Sequence, residues 1–136
     1  MLSADNAHAV HPHIPQKTDA TNCVYMNEGI VVKSHAGQKY TSDAVSVAVF
    51  KDLCKKANVP VQFFANRSDE AGGSTLGNIA MAQVSMNSVD IGLPQLAMHS
   101  TYETAGIKDT YYMIQVMTEF FNCHISEVNS HSLKVD

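Results

Sequence analysis

The chain lacks several features that would each point to a class of function. It has no apolar run approaching the ~20 residues of a membrane-spanning helix. It has no dense run of Lys and Arg, and its 9 basic and 13 acidic residues leave a formal net charge of −4. That balance offers no electrostatic footprint for nucleic acid. The opening Met1-Leu2-Ser3-Ala4-Asp5 has neither the basic nor the apolar region of a signal peptide. Cysteine is scarce: Cys23, Cys54 and Cys123 form an odd set without CxxC spacing. They read as reduced thiols in a cytoplasmic protein. The GxxxxGK[ST] pattern is missing, which argues against a nucleotide phosphate loop, and so is GxSxG, which argues against a serine hydrolase. No internal repeat, low-complexity tract or interdomain linker interrupts the 136 residues, and 45% of them are hydrophobic against 16% charged. These proportions describe one globular domain with a modest core.

What the chain does have is an alternation of strand-like and helix-like segments. Gly29 to Ser34 is a β-branched run that reads as a strand. Thr41-Ser42-Asp43 offers caps for a helix running to about Ala57, with Val45, Ala48, Val49 and Leu53 at helical spacing. Asn58-Val59-Pro60 ends it, and Val61 to Asn66 reads as a second strand with Phe63 and Phe64 on opposite faces. A glycine-rich loop, Asp69 to Thr75, leads into a small-residue helix from about Leu76 to Val84. Val89 to Gly92 reads as a third strand, and a last helix runs from about Lys108 to Asn122. This order predicts an α/β fold with a mainly parallel sheet covered by helices. Asn6 to Glu28, punctuated by Pro12 and Pro15, fits neither period and reads as a long loop.

Seven histidines is a high count and calls for a search for metal sites. In parallel sheets, ligands collect at the carboxyl ends of the strands. Asp5, Lys33, the Asp69 loop and His99 each follow or end a strand-like segment, and so are predicted to converge on one edge. Taken singly, each has two readings. His99 is a hydrogen-bonded structural residue or a ligand, and Asp5 a turn residue or a ligand. His11 and His13 read as part of a solvated loop. Asp69-Glu70 is a charged turn or a carboxylate pair for acid/base work. Gly72-Gly73-Ser74-Thr75 is an anion cradle or a plain helix entry capped by Ser74 or Thr75. Lys33 is solvated, or it holds an acidic substrate.

Two strings sharpen these choices. Ser3-Ala4-Asp5-Asn6-Ala7-His8-Ala9-Val10-His11-Pro12 resembles the SxDxAHAxHP segment of the M18 family of zinc aminopeptidases, of the aspartyl aminopeptidase type. Gly92 to Ser100, GLPQLAMHS, resembles that family's closing segment. Between them, IVVKSHAGQKYTSDA and RSDEAGGSTLG resemble its Lys-containing strand and its glycine loop, in the same order.

The resemblance implies a three-layer α/β/α sandwich of the zinc-exopeptidase kind and metal-activated removal of N-terminal, acidic residues from peptides. It implies two zinc ions, with Asp5 a ligand of one and His99 a ligand of the other. Lys33, Tyr40, Gly73, Ser74, Thr75 and Met98 would line the substrate pocket, and His8 would lie near the site. The family's bridging Asp, first ligand His and Glu-Glu pair, which includes the general base, find no match. Residues 1–136 are therefore expected to be the C-terminal part of a catalytic domain, with the dimerisation domain and N-terminal catalytic part absent. The resemblance further implies a homo-oligomer for the complete enzyme and an isolated chain without activity. The competing expectation is a non-catalytic truncated relative acting as an interaction or structural domain.

Overall fold

The computed structural model describes residues 1–129 and 132–136. Its central sheet is built from β1 (Leu2–Ala4), β3 (Ile30–Ser34), β4 (Val61–Ala65) and β5 (Val89–Gly92), in the order β1-β5-β3-β4. The pairs β1–β5 and β3–β4 are parallel, while β3–β5 is antiparallel. The sheet is thus mainly parallel, as expected, but β1 and β5 run opposite to β3 and β4. A smaller sheet continues the first: β2 (Ala7–His8) pairs in parallel with β6 (Pro94–Leu96), which pairs with β7 (Thr104–Ala105). β8 (Ile125–Asn129) and β9 (Ser132–Val135) form a separate antiparallel pair.

Helix α1 (Ala44–Lys56) begins where Asp43 accepts the Ser46 N–H at 2.8 Å while Ser46 Oγ accepts the Asp43 N–H at 3.1 Å. This reciprocal cap satisfies two donors that the first helical turn leaves open. Its buried face is Ser46, Phe50, Leu53 and Cys54. Val45 and Ala48, expected on that face, are exposed instead. The cap sets the helix rotation, and that rotation points the bulkier Phe50 at the sheet.

α1 and α3 (Ile107–Asn122) cover one face of the sheet, where Ile30, Val32, Phe50, Leu53, Val89, Ile91 and Val116 form the core. Fully burying such side chains contributes roughly 1.5–3 kcal/mol each. α2 (Leu76–Gln83) lies on the opposite face, its Gly77 N–H bonded to Ser3 Oγ at 3.0 Å. The three layers are therefore helices, sheet and helix.

The stretch Asn6 to Glu28 is less irregular than its composition suggests. It contains β2 and a 3₁₀ turn at Pro15–Lys17. Ala9 N–H bonds to Gln95 O at 2.9 Å, Val10 N–H bonds to Val24 O at 2.9 Å, and Val24 is fully buried. Asp109 fixes the far end of this stretch: its carboxylate accepts the Asn27 and Gly29 N–H groups at 2.5 and 3.0 Å.

Candidate metal centre and substrate cavity

The parallel ladder that runs through β1 and β5 breaks once, at Asp5-Asn6 opposite Gly92-Leu93. The Asp5 N–H still donates to Ile91 O at 2.9 Å, and the Asn6 side chain accepts the Leu93 N–H at 3.2 Å and donates to the Gln95 side chain. Gly92 is required here, because a Cβ would collide with the Asp5 carbonyl. The break turns the Asp5 carboxylate outward, its side chain 58% exposed.

His99 follows β6 in a tight turn. Ala97 and His99 both have positive φ, 55° and 66°, in the left-handed region that non-glycine residues adopt at a cost of about 1–2 kcal/mol. The turn is closed by Ser100 N–H to Ala97 O at 3.0 Å and by His99 N–H to Glu103 Oε1 at 2.6 Å. Backbone strain at a residue of metal-binding type marks the turn as a candidate functional feature.

Lys33 lies in β3 and is 1% exposed, so the solvated reading does not hold. Its ammonium stands 3.5 Å from Asp5 Oδ2, 3.5 Å from Asn6 O and 5.0 Å from the centre of the Tyr40 ring. Burial pulls the Lys33 ammonium below its usual pKa, and Asp5 and Asp90 oppose that pull. Burial, then Asp5 and Asp90, raise the Tyr40 hydroxyl. The His8 imidazole is held below its ordinary value by loss of solvent and then by His99 and Lys33, against the pull of Asp5. These mutual effects place His8, His99, Lys33 and Asp5 in one electrostatic neighbourhood.

All nine residues expected at the site, Asp5, His8, Lys33, Tyr40, Gly73, Ser74, Thr75, Met98 and His99, line one cavity of about 480 Å³. They do not meet by convergence on one sheet edge. Because β3 runs against β1, the carboxyl ends of the two strands lie at opposite edges. Asp5 and His99 lie beyond the same ends of the β1–β5 and β2–β6 ladders. Lys33 reaches them across the sheet face, along the length of its own side chain.

The glycine loop resolves two open readings. Asp69 is engaged by Arg67 through both carboxylate oxygens, one at 2.8 Å from Nε, and that pairing holds it below the usual carboxylate range. It belongs to a charged turn, not to an acid/base pair. Thr75 occupies the cap position of α2, but its hydroxyl makes no capping bond; Ser74 bonds to Asn78 instead. Thr75 Oγ1 and Asn66 Oδ1 are buried with no partner among the described residues, and both residues line the cavity. Buried polar atoms left in this way suit a ligand or water. His11 lines the cavity beside His13, their rings 5.7 Å apart.

The donors suit zinc in kind, a carboxylate oxygen from Asp5 and an imidazole nitrogen from His99. Among the described residues, no three His, Cys, Asp or Glu side chains gather closely enough to hold an ion. The chain thus offers part of a donor set. Several cavity residues escape a reading by residue type: Asn66, Arg67 and Gln95 in its wall, Glu103 behind His99 and Asp90 behind Lys33. Only the PQL string around Gln95 and the RSDEAGGSTLG string that opens on Arg67 gave any sign in the sequence.

Residues 1–121 match the family model described as aminopeptidase I zinc metalloprotease (M18). Among curated relatives, a probable M18 family aminopeptidase 2 of Clostridium novyi (strain NT) is 53% identical over 122 residues, 90% of this chain. Its counterpart in Clostridium acetobutylicum is 48% identical over 122 residues, also 90% of this chain. The chain spans 28% of the length of each. Among solved structures, a cryo-EM structure of an Ape4 and Nbr1 complex matches 88% of this chain and 23% of its own, with a TM-score of 0.86 and 38% identity. The crystal structure of aminopeptidase I from Clostridium acetobutylicum matches 90% of this chain and 28% of its own, with a TM-score of 0.78 and 27% identity.

Proposed function

Because the chain belongs to the M18 family of zinc metallopeptidases, we propose that it forms one wall of the active site of an aminopeptidase that removes acidic N-terminal residues from peptides. The observation that carries this reading is the gathering of Asp5 and His8, Lys33, and His99, from three separate stretches of sequence, on one cavity. In the complete enzyme Asp5 holds one zinc ion and His99 the other. Bound zinc supplies a water of lowered pKa and a polarised scissile carbonyl.

This chain's own residues supply the rest of the wall's chemistry. The strained turn, closed by hydrogen bonds from its backbone N–H groups, sets His99 on the cavity wall. Burial, then His99 and Lys33, lower the His8 imidazole from its ordinary value and so disfavour a further positive charge beside the ions. Lys33 gives the cavity a buried cation for the carboxylate of an Asp or Glu side chain, a charge-assisted contact. Gly73, beside which a side chain would find open space, leaves room for that substrate residue. Tyr40, Ser74, Thr75 and Met98 complete the wall. The general base is a Glu outside this chain, in the N-terminal catalytic part.

The solved relative described as an mApe1 dodecamer supports a homo-oligomeric complete enzyme. The thiols of Cys23, Cys54 and Cys123, unpaired among the described residues, support a cytoplasmic location. Among the described residues, no helix is long and apolar enough to cross a membrane.

Metal content tests the ligand assignment. In the complete enzyme, Asp5→Ala and His99→Ala should each lower bound zinc from two ions per subunit to about one after dialysis, measured by mass spectrometry. Retention of both ions in either variant excludes that residue as a ligand.

A further inference from the structure

Lys33 is flanked by two carboxylates, and their situations differ. Asp5 touches its ammonium but is largely exposed. Asp90 is completely buried. The antiparallel register pairs Val31 with Gly92 and Val32 with Ile91, so one further step sets Lys33 opposite Asp90. Direct cross-strand neighbours share a face of the sheet. Asp90 also pairs with Ser3 on its other side, under α2.

The contacts of Asp90 are divided between its two oxygens. Oδ2 accepts the Thr41 N–H at 2.6 Å and the Thr41 hydroxyl at 2.9 Å. Thr41 directly follows Tyr40, whose ring faces the Lys33 ammonium. Oδ1 has no hydrogen-bond partner among the described residues. Gly77 packs so close that a Cβ there would lie 2.9 Å from Oδ2 and 3.1 Å from Oδ1. Asp90 is therefore fixed in place from the α2 side.

A buried ammonium needs a counter-charge. A carboxylate that binds zinc shares its charge with a dication and balances a neighbouring lysine poorly. We propose that Asp90 is the standing counter-charge of Lys33 and the positioning residue of the Lys33–Tyr40 wall, which leaves Asp5 free to serve the metal. This rests on the reading of Lys33 as the substrate-side cation and of Asp5 as a ligand. It assigns Asp90 to specificity: it keeps the cation of the cavity in place whether or not the ions are bound.

The test separates a counter-charge from a simple loop clamp. The full 136-residue chain is unfolded in urea at pH 7 without metal, followed by circular dichroism, for Lys33→Met, Asp90→Asn and the double variant, and for a parallel Asp5→Asn set. If Asp90 is the counter-charge, the double Lys33/Asp90 variant unfolds with a constant roughly tenfold below the product of the single effects. The Asp5–Lys33 cycle shows less than about threefold coupling, as for a partly exposed pair. Independent Lys33 and Asp90 effects, or larger coupling to Asp5, overturn the proposal. If Lys33→Met does not fold, Lys33→Gln takes its place in the cycle.

A second arm uses the complete enzyme. Asp90→Asn should reduce kcat/KM on Asp-starting peptides about tenfold more than on Leu-starting ones, with zinc content unchanged. Thr41→Val, which removes a bond to Asp90 but keeps its charge, should not change the ratio. An equal change in the ratio from both variants makes Asp90 a loop clamp only and overturns the proposal. If Lys33→Met treats both substrates alike, the substrate reading fails, while the urea cycle still decides whether Asp90 is the counter-charge.

Discussion

Lys33 is the residue on which the electrostatics of the cavity turn. An ammonium with almost no exposed surface is largely desolvated, so a carboxylate that reached it would find a donor with little water to displace. A charge-assisted hydrogen bond of this kind is worth about 1.5–3 kcal/mol. In the complete enzyme, Lys33→Met should therefore lower kcat/KM on Asp- or Glu-starting peptides roughly tenfold to a hundredfold, and on Leu-starting peptides far less. Equal losses on both would remove Lys33 from specificity. Cys54 gives a second check on burial. Its thiol sits in the apolar core, and burial pushes it up to about 12 from the ordinary 9.0. Native protein at pH 8 should label at Cys23 and Cys123 with iodoacetamide and not at Cys54. The raised value favours the protonated thiol in the fold. Its contribution is thus complete below about pH 9 and is lost as pH rises toward 12, so alkaline unfolding should be steeper for wild type than for Cys54→Ala. At this scale the short strings around Asp5 and His99 were legible because motif and spacing are local. The burial of Lys33 was not, since it depends on Asp5 and Asp90, which are distant in sequence.

Among the elements, α2 is where two effects of comparable size compete. Replacing a glycine inside a helix by alanine ordinarily stabilises by up to about 1 kcal/mol. At Gly77 the added Cβ would stand 2.9 Å from Asp90 Oδ2 and from Thr41 Oγ1, both held by hydrogen bonds to each other. Overpacking of a site that cannot give costs about 1–3 kcal/mol. Gly77→Ala should therefore destabilise by about 1–2 kcal/mol net in chemical denaturation. A stabilised variant would show that the α2–sheet contact yields easily. The longer elements were readable from their periods: β3, α1, β4, α2, β5 and α3 fall within a residue or two of the expected bounds. β2, β6 and β7 have two or three residues each, too few for an alternation to show. The direction of β5 was not readable either. A helix between two strands suggests a parallel return, yet β5 passes β4, joins β1 in parallel and meets β3 head to tail. That reversal is why the site forms across a face of the sheet and not along one edge.

The molecule as a whole has a well-formed core and, in the proposed reading, only part of a two-metal reaction centre, and this leads to the last prediction. A two-metal peptidase needs a carboxylate bridging the ions, terminal ligands for each and a general base. In the proposed reading Asp5 and His99 would fill two of these places. Asp69 is held by Arg67, and Glu70 follows it in the glycine loop at the cavity wall. Four-coordinate zinc with one protein donor per ion is bound weakly. The 136-residue chain alone should therefore show no chelator-sensitive release of N-terminal Asp, Glu or Leu, even with added zinc or cobalt. It should nevertheless be folded, with a cooperative urea transition, since the Phe50–Ile91–Val116 core is complete within it. Folded and inactive is the outcome that fits a part of a catalytic domain. Metal-dependent turnover by the folded chain would show that a residue in it, Glu70 or His8 before others, serves as the base. That result would replace the division of roles argued above with a small enzyme complete in itself.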